Sequence, residues 1–242
     1  MKKYFTYIDG LRGLSVLLVF LFHIKIFEKN TFLEGGFLGV DIFFVISGFI
    51  ITHILLNDNF KLLDNKKVFF INRFRRLIPT LITVICIVLL ISIFFTSLKS
   101  LERVNQSAFA NFFQLQNFLF FLQTGYFELN SNERPLIHTW SLAIEWQFYI
   151  LFPFILRTLV NKRNFFRSII IFLICMSEVL SRVDGNLNFY FTIPRIWELL
   201  LGAYIYTLED KELDFLKKIK LIIYPSIFTS VLILFNVNEL NR

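Results

Sequence analysis

The sequence predicts an all-α fold, a polytopic bundle of transmembrane helices. Three observations carry that prediction. Hydrophobic residues fill 56% of the 242 positions, more than a soluble domain of this length uses to build its core. They gather into runs of about 20 residues, the helix length that crosses the hydrocarbon layer. Lys and Arg concentrate in alternate connections between those runs, which is how membrane helices are oriented. Phenylalanine alone contributes 33 residues, a composition suited to helix faces turned toward lipid.

The first apolar run, 8–27, follows Met1-Lys2-Lys3 and so imitates a signal peptide. It lacks a small-x-small cleavage site, and Asp9, Arg12 and His23 interrupt it, so it reads as a retained first span. Further spans are predicted over 37–56, 77–95, 140–160, 165–180, 189–208 and 221–237. The run 108–122 is interrupted by Asn111, Gln114, Gln116 and Asn117, which fits an interfacial or re-entrant helix better than a full crossing. Lys61, Lys66, Lys67, Arg73, Arg75 and Arg76 precede the third span, Arg157, Lys162, Arg163 and Arg167 the fifth, and Lys211, Lys217, Lys218 and Lys220 the seventh. With Lys2 and Lys3, these fall on one side if the N-terminus is cytoplasmic. The opposite loops hold fewer, chiefly Lys25, Lys29, Lys99, Arg103 and Arg134. The net charge of +7 is thereby explained by topology rather than by nucleic acid. No repeat or linker divides the chain, so 1–242 reads as one membrane domain.

Ionisable groups inside a span cost at least about 2.5–3.5 kcal/mol each, so each needs a reason. Arg12 and His23 lie eleven residues apart on the first span. On a helix that is about 20° of rotation and roughly 16 Å of rise, so both face one way at different depths. The second span opens with small residues and carries Asp41 and Ser47. Asp41 enters at a depth similar to His23, where a carboxylate either orients an imidazole or caps the helix end. Arg73, Arg75 and Arg76 stand at the mouth of the third span. Both orientation bias and a phosphate clamp explain such a cluster. The fourth span begins with His138, Trp140 and Ser141, and Ser141, Glu145 and Tyr149 share one face at i, i+4 and i+8. Arg195 and Glu198 in the sixth span form an i,i+3 pair that neutralises itself. Cys86 and Cys175 stand alone in apolar runs and read as buried packing residues. His23, His53 and His138 lie in separate segments, and no metal motif is present in the sequence.

Taken in order, these segments resemble the acyltransferase type 3 family of bacterial membrane O-acyltransferases, which includes O-antigen acetylases. The resemblance runs through Ile8-Asp9-Gly10-Leu11-Arg12-Gly13 with His23, the Gly39-to-Gly48 run, and the arginines at 73, 75 and 76. It continues through His138 to Tyr149, then Arg195, Glu198 and Gly202. It implies acyl transfer from a cytoplasmic acyl-CoA, usually acetyl-CoA, to a hydroxyl of an extracytoplasmic sugar or lipid-linked glycan. Such modification includes that of lipopolysaccharide and other polysaccharides, at a bacterial inner membrane with the N-terminus cytoplasmic. His23 is then the expected base and Arg12 its companion, with Asp41 and Glu145 in the catalytic cavity. Arg73, Arg75 and Arg76 would hold CoA phosphates. Ser47, His138, Trp140, Ser141, Tyr149, Arg195 and Glu198 would line the substrate cavity.

The chain ends at Arg242, just after the seventh span, whereas the family continues with several more helices. The expectation is therefore a C-terminally shortened membrane domain. Two other classes are weighed against the enzyme. A transporter predicts internal repeats or broken helices in matching halves, and neither is found in the sequence. A non-catalytic relative predicts that nothing depends on His23.

Overall fold

The computed structural model describes residues 6–24, 35–57, 66–124, 134–159, 162–182 and 190–208, and they contain helices and no strand. In chain order the helices are α1 (Thr6–Ile24), α2 (Leu38–Asn57), α3 (Lys66–Phe95), α4 (Leu98–Phe112), α5 (Gln116–Thr124), α6 (Trp140–Leu159), α7 (Arg163–Ser181) and α8 (Thr192–Tyr206). A 3₁₀ turn, Ile137–Thr139, leads into α6. All of these lie in one compact unit, Met1–Tyr206, and a second begins at Thr207. Four segments are long and apolar enough to cross a membrane: Gly35–Leu56, Lys67–Phe95, Ile137–Arg157 and Arg163–Ser181.

These agree with the second to fifth predicted spans. The third departs in extent, because α3 continues eleven residues toward the N-terminus of 77 and carries the arginine cluster on helix rather than on a loop. The sixth is shorter as helix, 15 residues in α8. The predicted run 221–237 lies outside the described residues.

At the centre α2 packs on α8, and the contact is made at backbone distance. A Cβ on Gly48 would run into the backbone of Leu199, and one on Gly202 into the Val45 carbonyl and the Phe49 amide. Absence of a side chain at both positions is what lets the helices meet so closely. α1 lies on the other side of α2 by the same device, with Gly36 against Leu18 and Phe22, and Gly39 against Ser15 and Val19. α7 packs against α8, where the Ser177 hydroxyl donates to the Ile193 carbonyl and accepts from the Trp197 amide. α6 fills the middle. Ile144, Phe148, Phe152 and Leu156 are fully enclosed with Phe44, Leu55 and Leu199, and the rings of Phe148 and Phe152 stack at 4.5 Å.

The face opposite this core is apolar too. On α3 the residues Ile82, Ile87, Leu90, Ile93, Phe94 and Phe95 are exposed, a pattern that water would punish and lipid accommodates. Cys86 and Cys175 also lie on exposed faces, which corrects their reading as buried packing residues. Pro79 sits inside α3, and the Thr83 hydroxyl donates to the Pro79 carbonyl at 2.9 Å.

The run 108–122 is not one interfacial helix. α4 ends at Phe112, Gln114 turns left-handed at φ 56, and α5 starts at Gln116. The amide of Leu115 donates to the Ala110 carbonyl at 2.9 Å and that of Gln114 to Asn111 at 3.1 Å, which together close the helix in a Schellman pattern. The polar residues that mark this run face inward rather than toward water. Asn117 is fully buried; its amide donates to the Tyr190 carbonyl at 3.1 Å and accepts from Gln147 at 3.1 Å. Thr192 in turn donates to Gln147, and Gln116 donates to the Thr139 carbonyl at 2.6 Å. This network ties α5 to α6 and to the start of α8. Asn117→Leu conserves most of the volume but removes the bond to the Tyr190 carbonyl and the side-chain acceptor of the Gln147 amide. It is expected to cost about 1–3 kcal/mol, visible as a lowered thermal midpoint of the detergent-solubilised chain.

Candidate functional site

Three groups of polar side chains lie within the bundle, and α6 borders all of them. At its N-terminal end His138 meets His23 of α1, with ring centroids 4.3 Å apart and planes at 79°. Separate in sequence, the two histidines are neighbours in space. His23 Nδ1 lies 2.7 Å from the Val19 carbonyl oxygen one turn back. A carbonyl only accepts, so Nδ1 carries the hydrogen and Nε2 of the neutral ring keeps its lone pair. Phe22 flanks the same imidazole edge-on at 5.0 Å.

The second group lies seven to eleven residues after His138, on α6. The Tyr149 hydroxyl donates to the buried Glu145 carboxylate. Arg73 of α3 is buried and lies over the Tyr149 ring at 5.4 Å and over Phe69 at 5.7 Å. The charge of Arg12 is felt by both Tyr149 and Arg73, and its guanidinium lies 5.0 Å above Phe43. The eleven-residue spacing of Arg12 and His23 on α1 is thus matched by that from His138, on the 3₁₀ turn, to Tyr149 on α6. The two helices are antiparallel, so a histidine end and an arginine end lie roughly 16 Å apart along them, and the stretch between these ends is the slot.

The third group lies between α2 and α8. Arg195 Nη2 bonds Asp41 Oδ1 at 2.9 Å, and Nη1 lies 2.8 Å from Glu198 Oε1. The guanidinium also stacks over Trp140 at 5.5 Å. Glu198 is fully enclosed, and although the ion contact is short, neither carboxylate oxygen accepts an aligned hydrogen bond. The expected i,i+3 pair is present, but its arginine is shared with Asp41. Asp41 is accordingly held by Arg195 and makes no bond to His23, so the imidazole-orienting role expected for it has no counterpart in the geometry.

The remaining expected residues are distributed unevenly. Of the three arginines only Arg73 turns inward; Arg75 and Arg76 are exposed, so the cluster is not one surface. The Ser141 hydroxyl donates to the His138 carbonyl at 3.2 Å. Ser47 is buried with its hydroxyl unpartnered among the described residues. His53 packs its ring on Tyr206 at 5.5 Å, away from the slot. Phe43 beneath Arg12 carried no sequence signal, and neither did the Asn117–Gln147–Thr192 network. No cluster of three or more His, Cys, Asp or Glu that could hold a metal ion occurs among the described residues.

Comparison with known proteins bears on what this slot does. A family model described as an acyltransferase domain matches residues 5–241. The chain is 38% identical over 217 residues to the peptidoglycan O-acetyltransferase OatA of Listeria monocytogenes, covering 84% of this chain and 33% of that protein. It is 35% identical over 233 residues to the O-acetyltransferase OatA of Staphylococcus aureus, covering 90% and 37% respectively. The chain therefore spans about a third of the length of these curated relatives. No solved structure matches it.

Proposed function

The chain belongs to the acyltransferase family, whose domain model covers nearly all of it, and on that premise we propose that it is a membrane O-acyltransferase. It moves an acetyl group from a cytoplasmic acyl-CoA to a glycan hydroxyl on the far side of a bacterial plasma membrane. The observation that carries this reading is the pairing of His23, whose Nε2 lone pair is left available, with an arginine end one slot-length away. A neutral imidazole suits deprotonation of a hydroxyl near pH 7. A thin acyl-pantetheine arm can span the slot while its phosphates stay with the cations. The alternation of Lys and Arg between spans supports a cytoplasmic N-terminus, and hence a cytoplasmic arginine end. The name of the Listeria relative favours peptidoglycan over lipopolysaccharide as the acceptor.

The division among the arginines assigns them different work. Arg75 and Arg76 are exposed and meet the CoA phosphates. Arg73 is buried against Tyr149 and braces the Glu145 side of the slot. Arg75→Gln with Arg76→Gln is expected to raise KM for acetyl-CoA about 100-fold, with kcat nearly kept, as loss of two charge-assisted contacts implies. Arg73→Gln is expected to lower kcat or folded yield instead. Steady-state kinetics on the chain in bilayer nanodiscs separates the two.

The function itself is tested with acetyl-labelled acetyl-CoA and a soluble peptidoglycan tetrasaccharide added to the same nanodiscs. Label on the sugar supports the proposal. CoA release without labelled sugar refutes this acceptor, and neither product refutes the acyltransferase reading of the chain.

A further inference from the structure

An acyl transfer needs a base for the hydroxyl and a hydrogen-bond donor for the oxyanion that forms on the acyl carbonyl. His23 supplies only the first. Its Nδ1 hydrogen is committed to the Val19 carbonyl, so the nitrogen left for substrate is the lone-pair nitrogen. The hydroxyls nearest in sequence are committed as well: Thr139 donates to the Leu136 carbonyl at 2.7 Å and Ser141 to the His138 carbonyl at 3.2 Å. Arg195 is occupied by Asp41 and Glu198, and Arg12 lies at the other end of the slot.

His138 differs from all of these. Its side chain is exposed, and no hydrogen bond engages its ring nitrogens among the described residues. Its ring stands perpendicular to His23, close enough that a substrate group bound at one imidazole is within reach of the other. The contact is ring against ring and not an N–H···N bond, so neither imidazole uses up the other's proton.

We propose that His138 is a second catalytic residue of this site, donating an imidazole N–H to the acyl carbonyl oxygen as it becomes an oxyanion; the role rests on the acyl-transfer reading above. His23 Nε2 takes the proton from the acceptor hydroxyl while the hydroxyl oxygen forms a bond to the thioester carbon. The carbonyl π pair moves onto oxygen, and the His138 N–H stabilises it there. Collapse restores the C=O bond and breaks the C–S bond, and the sulfur leaves with that electron pair and accepts the proton held by His23. Two imidazoles thus divide the labour, with one tautomer fixed by a backbone carbonyl and the other free to present its hydrogen.

The test compares His138→Ala, His138→Phe and His138→Gln in nanodiscs, with acetyl-CoA and the tetrasaccharide, at matched amounts of chain of verified thermal midpoint. Ala and Phe are expected to lower kcat about 100-fold with both KM values within about twofold. Gln, which keeps an N–H donor, is expected to recover about tenfold or more of that loss. Native kcat in His138→Phe would mean the ring serves only for packing and would overturn the role. So would His138→Gln no better than His138→Phe, or full activity in His138→Ala. His23→Ala measured alongside separates the two levels. If it leaves transfer intact, the base assignment fails and the donor falls with it. If it abolishes transfer while the His138 series stays flat, the donor alone is wrong.

Discussion

Replacing His23 with Ala is expected to abolish glycan O-acetylation, by at least about 10²–10⁴-fold, without reducing the amount of chain in the membrane. The two halves of that expectation come from the same geometry. His23 is exposed, and its contacts are one ring edge, one perpendicular imidazole and one backbone carbonyl on its own helix. Little packing is lost with it, so the fold persists. What disappears is the Nε2 lone pair left free by the Nδ1 contact to Val19. The measurement is ester-linked acetate on glycan from a host without its own acetylase, at matched membrane abundance. Retained acetylation would remove His23 as the base. A chain whose His23→Ala form also vanishes from the membrane would show instead that the imidazole holds α1 in place.

Gly202→Val and Gly48→Val are expected to prevent folding outright. A Cβ at either position meets backbone atoms of the facing helix, not a flexible side chain that could turn away. Relief requires α2 and α8 to separate. Overpacking alone costs about 1–3 kcal/mol, and separation also pulls Asp41 from Arg195, which keeps only Glu198, at a further cost of about 1–3 kcal/mol. That sum reaches the lower end of the stability of an ordinary domain. The expected result is loss of the monodisperse peak in detergent. Gly13→Ala is the control, because nothing of the described chain lies within 4 Å of its Cβ position, and alanine favours the helix by up to about 1 kcal/mol. A monodisperse Gly202→Val chain would contradict the tight crossing.

The helical class, four of the long apolar segments and the orientation of Arg12 with His23 were legible because each is a matter of spacing along one chain. Period and length carry that information locally. The pairing of Asp41 with Arg195 spans 154 residues, and nothing in either segment announces the other. For that reason Asp41 looked equally available to His23, which enters the bundle at a similar depth. The meeting of His23 and His138 escaped for the same reason. The break in the run 108–122 escaped on different grounds. Its break falls at Gln114, a residue without the turn preference of Gly or Asn, so the left-handed residue gave no warning. Its polar residues resembled a wetted face, whereas Asn111, Gln116 and Asn117 are enclosed. Polarity in an apolar run signals either water or a partner, and composition does not distinguish them.

The glycine crossing also has a mechanical side. Backbone pressed against backbone leaves no layer of side chains to slide or repack, so α2 and α8 act as one stiff plate. α1 is fastened to that plate through Gly36 and Gly39, and α6 through Phe44 and the Arg195–Trp140 stack. The two histidines are thus mounted on separate arms of a common chassis. On the proposed function, breathing that admits a sugar comes from play in those arms, and the gap between the imidazoles is the gauge on which it would first register.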